Sequence, residues 1–205
     1  NAAMIVARFK KKFNIELSLR EFFEYTTISE QAEYIEKNQT SNRNETLLFE
    51  PVSREYYPLS AAQERMYVLN ELDNSTNYNA TSVIKLLGKI NNSKIEDVFK
   101  KIIARHDILR TAFVRNNGSI NQKVMGCVDF RLEIMETNYE NVNKVVESCI
   151  RVFNLNEPPL IRVFLIKLSE KEHILVLDLH HIVSDGVSMN IITEEFLTLY
   201  RGSEL

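Results

Sequence analysis

The run Leu177-Asp178-Leu179-His180-His181-Ile182-Val183-Ser184-Asp185-Gly186-Val187-Ser188 constrains this chain more than any other stretch. It continues the apolar run from His173 to Leu177, places two imidazoles side by side, and follows them with a carboxylate, a glycine and a new amphipathic pattern. That order reads as a buried strand that carries histidines to its end, turns, and starts a helix. Side chains alternate along a strand, so His180 and His181 are expected on opposite faces. His181 then shares its face with Leu175, Leu177 and Leu179, while His180 lies with Ile174, Val176 and Asp178. One imidazole is free to face a reaction site while the other serves the scaffold. A histidine pair at a strand end is by itself more often hydrogen-bonded scaffold than catalyst. Zinc does not suit the pattern: adjacent histidines point apart, no His-x3-His pair is present, and the two cysteines are far apart in sequence.

A chain of 205 residues makes one domain, or one and a part. Its net charge of −3 gives no electrostatic reason to expect nucleic acid or an anionic membrane. No apolar run approaches the ~18 residues that a bilayer span needs, and no signal peptide is visible. Cys127 and Cys149 show no paired-motif spacing, which suits a reducing cytoplasm.

Three regions separate by composition. In residues 1–37, Ala3, Ile5, Val6, Phe9 and Phe13 recur at helical spacing, with Arg8 and Lys10 to Lys12 outside. This helix opens without a cap, so its start is expected upstream of Asn1, and Asn14 is expected to end it. Ser18 with Glu21 forms a capping box before Phe22 and Phe23, and Ser29 is expected to cap a third helix that turns Ala32, Tyr34 and Ile35 inward. Three such helices make a poor core alone, so the segment reads as incomplete. Residues 38–55 are polar and turn-rich at first and read as a linker.

In residues 56–205, Tyr56 to Leu59 docks the chain, and Ser60 with Gln63 caps a helix with Met66, Leu69 and Leu72 as its stripe. A strand is expected over 80–88, then a helix from Ser93 with Ile95, Val98, Phe99, Ile102 and Ile103 inside. Strands near 119–126 and 130–136 follow the turn Asn116-Asn117-Gly118, with a helix at 140–153. A strand from 160 to 168 forms a hairpin with the histidine strand, and a final helix over 187–200 buries Met189, Ile192, Phe196 and Leu199. Hairpins mixed with crossovers predict a largely antiparallel α/β (α+β) sandwich rather than a doubly wound sheet. His106, at a helix end, is expected to pack or cap, and His173 to be solvated.

The segment Phe13-Asn14-Ile15-Glu16-Leu17-Ser18-Leu19-Arg20-Glu21-Phe22-Phe23, followed by Thr26 to Ile35, resembles the back part of a peptidyl carrier protein. Three further motifs stand in order: Pro58 to Tyr67, Arg105-His106-Asp107-Ile108-Leu109-Arg110-Thr111-Ala112-Phe113, and His180 to Gly186. Together they resemble the first three signature motifs of the condensation domains of nonribosomal peptide synthetases, multidomain enzymes of antibiotic and other secondary-metabolite biosynthesis. The resemblance implies a partial all-α carrier bundle over 1–37, then the N-terminal lobe of a chloramphenicol-acetyltransferase-like fold over 56–205. The later family motifs and the second lobe are absent from the sequence.

The implied activity is amide bond formation, in which the α-amino group of an acceptor aminoacyl thioester attacks the carbonyl of a donor thioester. The implied cofactor is 4′-phosphopantetheine on carrier domains. Its serine, in a Gly-Gly-x-Ser, would lie upstream of Asn1, so no residue here is the attachment site. The implied partners are donor and acceptor carrier domains, the missing C-terminal lobe and an adjacent adenylation domain. The resemblance puts His181 at the reaction centre, as base or as positioning group, and His180, on the other face of the strand, is expected to be structural. It makes Asp185 the ion-pair partner of a bracing arginine, with Arg105 and Arg110 as candidates and Arg162 behind them. Gly186 is expected to permit a backbone geometry that a Cβ would block. An epimerisation domain of the same superfamily is the rival enzyme, although Gln63, Arg65, Met66 and Tyr67 look like the condensing type. A non-catalytic carrier-docking module is the other class, and the isolated chain is expected to be silent in an assay.

Overall fold

The computed structural model describes residues Ile5, Val6, Arg8, Phe9, Lys12, 17–38 and 52–205. The chain divides into two compact units, Asn1–Val52 and Ser53–Leu205. The expectations placed on Asn14 and on most of the linker lie outside the described residues.

In the first unit Ile5, Val6, Arg8, Phe9 and Lys12 are helical. Helix α1 (Leu19–Glu24) opens on the expected box, the Ser18 hydroxyl accepting from the Glu21 N–H at 3.2 Å and Glu21 Oε2 from the Ser18 N–H at 2.8 Å. Helix α2 (Ile28–Asn38) is capped by Thr27 instead of Ser29. Thr27 Oγ1 accepts from the Glu30 N–H at 3.2 Å and Glu30 Oε2 from the Thr27 N–H at 2.9 Å. Thr27 wins because it has a glutamate three residues on and so satisfies two orphan donors, whereas Ser29 is followed at that spacing by Ala32. Tyr34 and Ile35 are half-buried, but Ala32 is exposed.

The second unit runs β1 (Tyr57–Pro58), α3 (Ala61–Asp73), β2 (Asn79–Leu87), α4 (Asn92–Arg105), a 3-10 turn (Asp107–Arg110), β3 (Thr111–Asn116) and β4 (Ser119–Val124). It continues with β5 (Glu133–Glu136), α5 (Val142–Cys149), β6 (Ile161–Ser169), β7 (Glu172–His180) and α6 (Gly186–Arg201). Four strands form a sheet in the order β2-β7-β6-β5, antiparallel except for the β5–β6 pair. Strands β1, β4 and β3 form a smaller antiparallel sheet, in which the docking segment around Tyr57 is itself a short strand. The turn between β3 and β4 puts Asn117 at φ 49° and Gly118 at φ 80°, the left-handed pair that a two-residue hairpin needs.

The alternation along β7 holds. Leu175, Leu177 and Leu179 belong to one core with Ile95, Val98, Phe99, Ile102 and Ile103 of α4 and Ile192 and Phe196 of α6. Phe99 and Phe196 stack at 5.2 Å. Val176 faces the other way, into a smaller cluster with Phe164, Ile166 and Cys149 of α5. In α3 the expected stripe is rotated. Leu72 is 79% exposed, and the buried positions are Tyr67 and Asn70, with Gln63 and Met66 half-buried on the same face. An amide turns inward here because it has a partner waiting, described below.

Candidate active site

The site is built at the end of β7, where three strands meet in register: Asn79 of β2 lies opposite His180, and both Thr81 of β2 and Arg162 of β6 lie opposite Asp178. The chain then leaves the sheet. The His181 N–H donates to the Tyr78 carbonyl at 2.8 Å, and the Val183 N–H to the His180 carbonyl at 3.1 Å. The Ser184 hydroxyl closes the turn on the His180 carbonyl at 3.0 Å.

The two imidazoles have opposite surroundings and opposite tautomers. His180 is fully buried. Its Nδ1 accepts from the Ile182 N–H at 3.0 Å, which places the proton on Nε2, and Nε2 donates to Asn70 Oδ1 at 3.3 Å. Burial, and secondarily the neighbouring His181, push its pKa down to about 4, so the ring is neutral near pH 7. His181 is exposed. Its Nδ1 lies 3.0 Å from the Ser184 carbonyl, which can only accept, so Nδ1 carries a proton, and in the neutral ring the lone pair falls on Nε2.

Among the described residues, Asp185 takes no arginine in an ion pair. Asp185 is the N-cap of α6, its Oδ1 accepting from the Ser188 N–H at 2.8 Å and the Ser188 hydroxyl at 2.6 Å. Those bonds, the hydroxyl's first, hold its pKa below the usual carboxylate range. Arg105 instead pairs with Glu195 of α6 at 3.3 Å, and Arg110 is occupied by Asp107 and the Met125 carbonyl. On the histidine strand itself the carboxylate beside an arginine is Asp178, within 3.5 Å of Arg162. The physical reason is burial: Asp178 has no access to water and must be compensated, whereas Asp185 is exposed at a helix start and has backbone donors at hand.

Gly186 is the first residue of α6, outside the left-handed region, and a Cβ there would meet nothing within 4 Å. The backbone requirement expected of it is absent among the described residues. His106 closes α4 and sets Nε2 2.7 Å from Glu195 Oε2, so Glu195 receives both residues of the Arg105-His106 pair. His173 is buried rather than solvated, with Nδ1 lacking a hydrogen-bond partner among the described residues, because the sheet places it between Leu86 and Lys167.

Sequence reasoning missed Asn70, Phe153 and the role of Asp178. A signal existed for one of them: a carboxylate between Leu177 and Leu179 in a buried strand demands a partner. Asn70 and Phe153 also line a cleft of about 470 Å³, together with Tyr67, Glu71, Asn74 and Asn154. No group of three or more His, Cys, Asp or Glu side chains among the described residues is placed to hold a metal ion.

Comparison with known proteins follows the same division of the chain. The condensation-domain family model matches residues 53–205, and the phosphopantetheine attachment site model matches residues 1–35. Gramicidin S synthase 2 of Brevibacillus brevis is 38% identical over 206 residues, and tyrocidine synthase 3 of Brevibacillus parabrevis 39%. Both alignments cover 100% of this chain, but the chain spans only 5% and 3% of those relatives. Among solved structures, the X-domain in its complex with OxyB from teicoplanin biosynthesis has a TM-score of 0.69 at 27% identity, over 75% of this chain and 35% of that one. The starter condensation domain of rhizomide synthetase, at 21% identity and a TM-score of 0.66 over 73% of this chain and 39% of that one, shares the fold. In residues 1–35 the serines are Ser18, whose hydroxyl is engaged as a helix cap, and Ser29, inside α2. Neither fits a phosphopantetheine attachment point.

Proposed function

The chain belongs to the condensation-domain family, and from that premise we propose that residues 56–205 form the histidine-bearing lobe of an amide-forming site, following the tail of a peptidyl carrier domain over 1–37. The reading rests on one observation: His181 is exposed at the strand end with its Nδ1 proton engaged by Ser184 and its Nε2 lone pair free. That lone pair accepts a hydrogen bond from the attacking α-amino group and orients it toward the donor thioester carbonyl. As the carbon–nitrogen bond forms, Nε2 takes the amine proton, and collapse of the tetrahedral adduct expels the thiolate, to which the proton passes. A free α-amino group titrates near ~7.7–8.0, so the amine is already partly neutral and a strong base is unnecessary. The buried His180 takes no part in proton transfer and holds the turn.

The partners in this reading are donor and acceptor carrier domains, the second lobe of the condensation fold and an adenylation domain that loads the acceptor. The free thiols Cys127 and Cys149 suit a cytoplasmic setting, and no helix of the described residues is long and apolar enough to cross a membrane. The likeness to an X-domain solved in complex with OxyB favours a second reading, a docking platform for another protein. One experiment separates them. The longest gene-encoded polypeptide that contains this sequence is supplied with donor and acceptor thioesters, and the amide product is followed by mass spectrometry. Product from the wild type and none from His181→Ala supports condensation. Undiminished product from His181→Ala overturns it, and racemisation without acceptor would point to epimerisation.

A further inference from the structure

We propose that Asp178 and Arg162 are the positioning pair of the histidine site, acting through Phe153 on the ring of His180 and through that ring on the turn that carries His181. The link to His181 rests on the condensation reading; the link to His180 does not. Asp178 is fully buried in an apolar strand and receives Asn79 Nδ2 at 3.0 Å, Thr81 Oγ1 at 3.2 Å and Arg162 Nη1 at 3.5 Å. Such a buried pair is weak evidence for stability, since an apolar replacement of like volume is often neutral or better. The arginine's shorter bonds go elsewhere. Nη1 donates to the Arg151 carbonyl at 2.6 Å and Nη2 to the Val152 carbonyl at 2.8 Å, so the guanidinium clamps the segment leading into Phe153.

The same guanidinium lies 3.8 Å from the centre of the Phe153 ring. Phe153 in turn meets the His180 ring edge-on, at 6.1 Å and 84°. His180 accepts from the Ile182 N–H, the residue directly after His181. Carboxylate, guanidinium, phenyl ring and imidazole thus form one contiguous series ending at the turn. Thr81 is the control built into the fold. It binds the same carboxylate from the opposite strand and does not reach Phe153 in any described contact.

The test uses the chain of 205 residues labelled with nitrogen-15. In the wild type the His180 ring is expected to show a protonated, slowly exchanging Nε2 and an unprotonated Nδ1. Arg162→Lys keeps the charge and loses the flat stack and the fork. It is expected to speed exchange of the His180 Nε2 proton by about tenfold, and Phe153→Leu to do the same, with no further gain in the double variant. Thr81→Val is expected to change exchange by less than about twofold. If Thr81→Val matches Arg162→Lys, or the Arg162 and Phe153 effects simply add, the series does not exist and the pair is plain scaffold. In the longest gene-encoded polypeptide, Arg162→Lys should lower kcat by about tenfold with KM retained. Turnover that survives His181→Ala would refute the condensation reading and leave the ring-exchange result standing.

Discussion

At the scale of single residues, the two histidines divide the work by which nitrogen is tied down. His181 is exposed, so His181→Ala should abolish amide formation while the thermal midpoint stays within about 2 °C of wild type by calorimetry. Asp185 acts as a helix cap, and asparagine caps as well as aspartate. Asp185→Asn should therefore keep its melting temperature and Asp185→Ala should lower it, whereas an ion-pair role would make both variants lose folded protein. His180 links stability to pH. Its folded pKa of about 4 lies below the unfolded ~6.5, so its contribution is complete above pH 6.5 and is lost as pH falls toward 4. The size is about 3 kcal/mol, from roughly 2.5 pH units at 1.36 kcal/mol each. Asp178, raised by burial, works in the opposite direction, its contribution falling as pH rises. The measurement is therefore a difference: urea titrations from pH 7 to pH 4 should show a steeper loss in wild type than in His180→Gln.

At the scale of elements, strand β7 and helix α6 are one device, since the turn between them is also the site. The helix is held from its middle as well as its start. Phe196 stacks on Phe99 of α4, and Glu195 receives Arg105 and His106 from the end of that helix. The second motif of the sequence is thus tied to the third through the body of α6, not through Asp185. Phe196 is 2% exposed, so Phe196→Ala should cost about 3–5 kcal/mol in chemical denaturation. Glu195→Gln is the milder probe, expected to remove the ion pairs and keep the packing. The rotated stripe of α3 belongs at this scale too. Periodicity alone placed Leu72 inside, but the helix presents Tyr67 and Asn70, because the amide pairs with His180, and Leu72 is left exposed.

At the scale of the whole molecule, the principal core, from Leu59 to Phe196, lies within Ser53–Leu205. A chain of residues 53–205 alone should therefore unfold cooperatively and keep the pH dependence assigned to His180, checked by circular dichroism. The sequence by itself determined most of the helices and strands, the largely antiparallel character, the Ser60 cap, the alternating faces of β7 and the family. Each of these follows from short-range rules: strand alternation, helical spacing, turn chemistry and the order of three motifs. Tertiary structure alone decided which arginine meets which carboxylate, that His173 is buried, and that Asn70 and Phe153 surround His180. Asp178 and Arg162 stand 16 positions apart in sequence, and Asn70 and His180 stand 110 apart. No local periodicity encodes such pairings; they follow from strand register and from the demand that a buried polar group find a partner.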